Sequence, residues 1–184
     1  MDEFNPAPGS GGIADRLIRR LRVSDPPEKF QRRAATALRD ALGFEAVAWV
    51  PDATREPIIQ AGSVEGLDSD GYRTIVRCLF GRAFRIVEAS ELEEPLPPSV
   101  KRFVVASADG DSGRLLAVNP EPNLPSESDL QTLFSVASLI VTQRANARIY
   151  SDLKDLLFGV IRALTSAIDA KDPYTSGART AGGR

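Results

Sequence analysis

Few side chains in this sequence could perform chemistry. Asp169 and Asp172 lie three positions apart at the end of a helical pattern, and carboxylates can contribute to a metal site. Hydrolysis of a phosphodiester at a two-metal centre needs several converging ligands, and the 184 residues include no histidine. We therefore interpret Asp169 as a solvated residue and Asp172, which precedes Pro173, as a helix stop. The sequence predicts no catalytic residue, no metal and no cofactor.

Cys78 is the only cysteine, which excludes an internal disulfide and fits a reducing compartment. Arg77 and Arg82 lie nearby in the sequence, and cationic neighbours can lower the pKa of a thiol. A small buried apolar side chain is the simpler interpretation of a cysteine within "IVRCLF".

Charge and hydropathy exclude two further classes of partner. The net charge of −2 provides no basic face for nucleic acid, and the chain has neither a long apolar run nor a signal-peptide pattern. We expect a soluble, cytoplasmic protein that contacts neither nucleic acid nor a membrane.

The hydrophobic period changes several times along the chain and predicts an α+β domain. Residues 1–12 have no period and are expected to be a disordered lead, and residues 13–23 form a short amphipathic stripe. "SDPPEKFQRRAATALRDALG" predicts a helix that Asp25 caps and Gly43 ends. A second helix is predicted over 69–81, and strands are predicted over 44–50, 56–62, 84–89, 101–108 and 114–119.

The last and longest element is a helix predicted over 127–171, with Ser126 and Asp129 as its capping box. At 1.5 Å per residue it would span roughly 68 Å, about twice the width of a small domain. Its first part has a broad apolar face suited to a sheet. Its second part has the alternating three- and four-residue spacing of a coiled-coil seam, formed by Tyr150, Leu153, Leu157, Val160 and Leu164. An exposed seam needs a partner, so we predict a homodimer through this helix.

The order of elements resembles that of a GAF domain, a small-molecule sensor module. The resemblance lies in "ATALRDALGFEAVAWVPD" and in "GRLLAVNPEPNLPSESDLQTLFSVASLIVTQRANARIYSDL", and it extends over about residues 25–150. It implies a five- or six-stranded antiparallel sheet with helices on one face and a long C-terminal helix that extends out of the domain. We predict a lead over 1–12, a GAF-like domain over 13–150 and a separate segment over 151–184.

That last segment resembles a second family. Residues 153–177, "LKDLLFGVIRALTSAIDAKDPYTSG", look like the first helix and loop of an HD-GYP domain, the metal-dependent phosphodiesterase of cyclic di-GMP signalling. In that family a histidine follows the glycine, whereas Ala178 follows Gly177 here, and the family's later metal ligands and GYP motif have no counterpart. Our hypothesis is a signalling helix and the truncated start of an HD-GYP domain, with the reading frame lost or the gene truncated at codon 178.

The GAF resemblance implies a ligand site between the sheet and the segments over one face. It suggests six lining residues: Trp49, Tyr72, Cys78, Phe84, Phe103 and Asn119. The first five would also suit an apolar core. GAF domains that bind cyclic nucleotides have lysine after the asparagine, where this chain has Pro120. Bilin attachment uses a cysteine followed by histidine, where this chain has Leu79. The resemblance therefore implies an unknown small molecule rather than either of these ligands.

Together these features predict a non-catalytic regulatory domain, the input module of a cyclic di-GMP phosphodiesterase whose catalytic domain is missing. Two alternatives stay open. One is a fragment of an active HD-GYP hydrolase, and the other is a structural dimerisation module without a ligand.

Overall fold

The computed structural model describes residues 17, 21, 25–77, 84–92, 95–108, 113–120 and 124–171. Residues 1–144 and 145–184 form two compact units. The predicted disordered lead and most of the amphipathic stripe over 13–23 lie outside the described residues, as does the end of the HD-GYP-like stretch after residue 171.

One antiparallel sheet of five strands runs through the first unit. Its strands are β1 (Phe44–Val50), β2 (Ile59–Gly62), β3 (Phe84–Glu88), β4 (Arg102–Ala106) and β5 (Arg114–Pro120), in the order β2-β1-β5-β4-β3. Val47 of β1 lies opposite Ala117 of β5, and Trp49 lies opposite Leu115. The prediction of a single antiparallel layer is confirmed, with five strands.

Three helices accompany the sheet: α1 (Pro27–Leu42), α2 (Ser69–Val76) and α3 (Glu127–Lys171). Gly43 ends α1 as predicted, with a φ of 69° and its N–H donating to the Arg39 carbonyl. The N-cap of α1 is Pro26 and makes no side-chain cap. Asp25, which we predicted as the cap, instead forms ion pairs with Lys29 and Arg33, in the first and second turns of the helix.

α3 is a single helix whose two parts differ in burial. Its capping box is present as predicted, because the Asp129 N–H donates to Ser126 Oγ at 3.2 Å and the Ser126 N–H donates to Asp129 Oδ2 at 2.9 Å. The first part packs in the core through Leu130, Leu133, Val136, Ala137 and Ile140. Residues 145–169 are exposed apart from one half-buried position, 147. Within the described ranges, no helix has an apolar stretch sufficient to cross a bilayer.

Different helices cover the two faces of the sheet. Val47 and Trp49 of β1 pack into a core with α1 and the first part of α3, hereafter the α1/α3 face. Ala46, Ala48 and Val50 pack into a second core with α2, hereafter the α2 face. Our expectation of helices on one face was therefore wrong for α2. β1 is buried at six of its seven positions, and a strand of this kind needs apolar cover on both sides.

Gly113 allows β5 to begin directly against the end of β1. Its φ is 135°, a conformation that residues with a side chain rarely adopt. A Cβ at this position would lie 2.6 Å from the Val50 carbonyl oxygen and 2.9 Å from Cζ2 of Trp49. The last glycine of "DGDSG" is therefore required by the close packing of the two central strands.

Candidate functional site

α2 holds Tyr72, the most informative of the predicted site residues, against the sheet. Asp68 begins the helix, because its Oδ1 accepts the Gly71 N–H at 2.9 Å. Tyr72 and Ile75 follow three positions apart on the same side of the helix, and both are buried. This spacing places the Tyr72 ring in the core of the α2 face together with Phe103 of β4.

The Tyr72 hydroxyl is a buried polar group without a hydrogen-bond partner among the described residues. The side chain is 2% exposed. Burial raises the pKa of Tyr72 above the ordinary value for tyrosine, and the negative charge of Glu45 raises it further. A buried hydroxyl without a partner costs free energy, which a hydrogen-bonding ligand atom would relieve. The α2 face thus combines an apolar core with a buried hydroxyl that has no partner in the described part of the chain.

Trp49, a third predicted side chain, does not join this pair. Trp49 is 1% exposed and packs on the α1/α3 face, so the sheet separates it from Tyr72. Cys78 and the side chain of Phe84 lie outside the described residues. The structure therefore brings Tyr72 and Phe103 together in one core, and their assignment to a ligand pocket stays a prediction.

Asn119, the sixth predicted site residue, fastens the end of β5 to its neighbours. Its φ is 49°, a left-handed conformation that asparagine tolerates. Its Oδ1 accepts the Lys101 N–H at 2.8 Å, and its Nδ2 donates to Glu45 Oε2 at 2.6 Å and to the Ser99 carbonyl at 2.7 Å. Both amide hydrogens and the carbonyl oxygen are used within the fold, so Asn119 has a structural role that its sequence position did not reveal.

A cavity of about 170 Å³ lies beside Asn119. It is lined by Glu45, Ser99, Lys101, Arg102, Asn119 and Pro120. Two of its three charged side chains have partners, since Glu45 accepts from Asn119 and Arg102 pairs with Glu88. We assign no ligand to this cavity.

The part of the chain that the structure describes contains no group of three or more histidine, cysteine, aspartate or glutamate side chains able to hold a metal ion. Asp169 is an exposed residue of α3. Asp172, with which we considered a metal site, lies outside the described ranges.

The second part of α3 has an apolar surface that is wider than the predicted seam. The five seam residues are all exposed, from 49% at Val160 to 72% at Tyr150. Four further exposed apolar residues flank them: Ile149, Leu156, Ile161 and Ile168. At 3.6 residues per turn these nine side chains occupy an arc of roughly 140°, hereafter the apolar stripe. A search for coiled-coil spacing misses the four flanking residues, because it keeps two of every seven positions.

Replacement of Asn119 with alanine is expected to lower the free energy of unfolding by about 1–3 kcal/mol, because it leaves backbone groups at Ser99 and Lys101 without their partner. Asn119→Gly removes the same hydrogen bonds but tolerates the positive φ, so it should be less harmful by up to about 1 kcal/mol. Urea unfolding followed by circular dichroism measures both variants. Losses well below 1 kcal/mol in both would contradict the structural role of Asn119.

Tyr72→Phe removes an unpartnered buried hydroxyl, so at pH 7 we expect unchanged or slightly higher stability. The pKa of Tyr72 is raised in the folded state. The stability that Tyr72 contributes through this shift is therefore fully present below about pH 10, and it is lost as the pH rises through the folded-state pKa. The wild type should therefore lose more stability than Tyr72→Phe under alkaline conditions. Urea unfolding across this pH range measures the difference, and Tyr150→Phe, at an exposed tyrosine, should follow the wild type. Parallel pH curves for Tyr72→Phe and the wild type would refute this.

No protein-family model matches the chain, and no curated protein matches it in sequence. Solved structures do match. The GAF domain of a protein described as a sensor histidine kinase, from Pseudomonas syringae pv. tomato, superposes with a TM-score of 0.51 at 15% identity, over 78% of this chain and 87% of that domain. The phycoerythrobilin-bound GAF domain of a cyanobacterial phytochrome superposes with a TM-score of 0.51 at 16% identity, over 76% of this chain and 96% of that domain.

A GAF domain from an Acinetobacter phosphoenolpyruvate-protein phosphotransferase gives a TM-score of 0.52 at 14% identity, over 75% of this chain and 93% of that one. Identities this low establish the architecture and leave ligand and activity open. The chain has a GAF-like fold, with a five-stranded antiparallel sheet, flanking helices and a long C-terminal helix.

Proposed function

We propose that this chain is a sensory or regulatory module without catalytic activity, the input part of a cyclic di-GMP signalling phosphodiesterase. The GAF-like fold supports the sensory role, since similar structures include a sensor kinase domain and a domain that holds phycoerythrobilin. The link to cyclic di-GMP rests on the likeness of residues 153–177 to the start of an HD-GYP domain.

The observation that carries the sensory role is the Tyr72 hydroxyl on the α2 face. It is a polar atom inside an apolar core, with no partner in the described part of the fold. A small, largely apolar molecule with one hydrogen-bonding atom would satisfy it if the molecule entered between α2 and the sheet.

We also propose that the chain forms a homodimer through α3, and the apolar stripe supports this. Ten large apolar side chains from Ile149 to Ile168, the stripe and Phe158, are 48–72% exposed. Together they offer on the order of 1,000 Å² of surface, against about 800 Å² per partner in a standard interface. This area is in the range that a standard interface buries.

The charges of the same segment fit a second copy of the chain as the partner. Residues 145–169 contain three cationic and three anionic side chains, so two copies do not repel each other through net charge. Asp152, Asp155 and Arg162 fall on the side of the helix away from the stripe. Lys154, at the edge of the stripe, places its Nζ 5.8 Å from the centre of the Phe158 ring, a cation–π contact within the same helix.

Native mass spectrometry of the full chain, purified from its own host, tests the sensory role. We expect a non-covalently bound small molecule that is retained by the wild type and reduced in Tyr72→Phe. The same preparation, incubated with cyclic di-GMP and manganese, should show no turnover. Absence of any bound molecule would favour a structural dimerisation module, and turnover would favour a hydrolase.

Leu153→Asp combined with Leu157→Asp is expected to convert the dimer to a monomer, because it places two charges at the centre of the stripe. Size-exclusion chromatography with light scattering measures the mass. The matched control is Ser151→Asp combined with Ser166→Asp, which adds the same charge on the polar side and should leave the dimer intact. A monomeric wild type would overturn the dimer proposal.

A further inference from the structure

We propose that the loop between β1 and β2, residues 51–58, is a mechanical link between α2 and α3, with Arg73, Glu56 and Arg144 as its connecting residues. α2 and α3 cover opposite faces of the sheet, so a displacement of α2 has to pass around the end of the sheet to reach α3. The loop lies where β1 ends, and side chains from both helices bind to it.

Arg73 attaches the loop to α2. Its guanidinium donates to three loop carbonyls, those of Pro51 at 3.2 Å, Thr54 at 3.1 Å and Glu56 at 3.0 Å. One planar group that holds three carbonyls sets the shape of the whole turn. Arg73 also follows Tyr72 directly in α2, so a molecule that moves the Tyr72 ring moves the attachment point of the loop.

Glu56 continues the link to α3. Its backbone carbonyl accepts from Arg73, and its Oε2 accepts from Arg144 at 2.5 Å. The two contacts are made by the same residue, which leaves little chain between them to absorb a displacement. Arg144 lies in the part of α3 that belongs to the first unit, and its Nε is buried without a partner among the residues described.

Exposure of the Glu56–Arg144 pair suits a contact that changes during signalling. The two side chains are 43% and 22% exposed, and partly exposed ion pairs contribute little to overall stability. Breaking the pair would therefore change the local position of α3 without unfolding the domain. Arg114 of β5 pairs with Asp52 and fastens the other end of the loop to the sheet, so that the loop pivots rather than detaches.

The link goes beyond the proposed function and consists of contacts among the chain's own residues, so its test requires no ligand. Hydrogen exchange of the full chain, followed by mass spectrometry, compares the wild type with Arg73→Ala. We expect exchange to rise roughly two- to thirtyfold in the loop and also over residues 138–146 of α3. Arg55→Ala, at an exposed arginine of the same loop, is the matched control and should leave α3 unchanged.

A double-mutant cycle identifies Glu56 as the connecting residue. Glu56→Gln keeps the backbone carbonyl that Arg73 binds and removes the charge that pairs with Arg144. In the Glu56→Gln background, Arg73→Ala should cause no further rise over 138–146. A rise confined to the loop in Arg73→Ala, or additive effects on α3, would overturn the proposal.

Two further measurements distinguish a broken link from an unfolded domain and from a failure of the sensory proposal. If Arg73→Ala raises exchange uniformly, the domain has unfolded, and Arg73→Lys then replaces it, since lysine keeps the charge but cannot hold three carbonyls in one plane. A chain that carries no small molecule in native mass spectrometry would defeat the sensory role while leaving the exchange pattern of the link as expected.

Discussion

β1 is buried on both of its faces, and Glu45 is the one exposed residue among its seven. It lies between β2 and β5, so its backbone is paired on both edges as well. A strand enclosed in this way requires apolar cover above and below the sheet. α1 and the first part of α3 supply one layer and α2 supplies the other. Gly113 is required for the same reason, because the lack of a side chain lets β5 approach the end of β1 closely.

Enclosure of β1 gives the two faces different properties. The α1/α3 face is covered by two long helices and contains Trp49, and its core is the larger of the two among the residues that the structure describes. The α2 face is covered by a helix of eight residues. Each core contains a buried polar atom without a partner among the described residues, the Tyr72 hydroxyl on the α2 face and Trp49 Nε1 on the other. Because α2 is short, it loses fewer contacts when it moves than α1 or α3 would. Its displacement therefore has a lower free-energy cost. This asymmetry is the physical reason for assigning sensing to the α2 face.

α3 serves two environments within one uninterrupted helix. Up to Gln143 its apolar residues face the sheet, and beyond Arg144 its side chains are almost all exposed, including the apolar stripe. Arg144 stands at this change and is also where the loop attaches through Glu56. A displacement that reached Arg144 would therefore act at the border between the packed and the exposed part of the helix.

The sequence by itself determined the elements: five strands, the helices, and the capping box of Ser126 and Asp129. These depend on neighbours within a few positions, so periodicity and capping residues reveal them. Only the tertiary structure placed α2 opposite α1, separated Trp49 from Tyr72, and made Asn119 structural. The Arg73 and Arg144 contacts to Glu56 join residues 17 and 88 positions apart. Partners at such distances leave no local pattern in the chain, since folding brings them together.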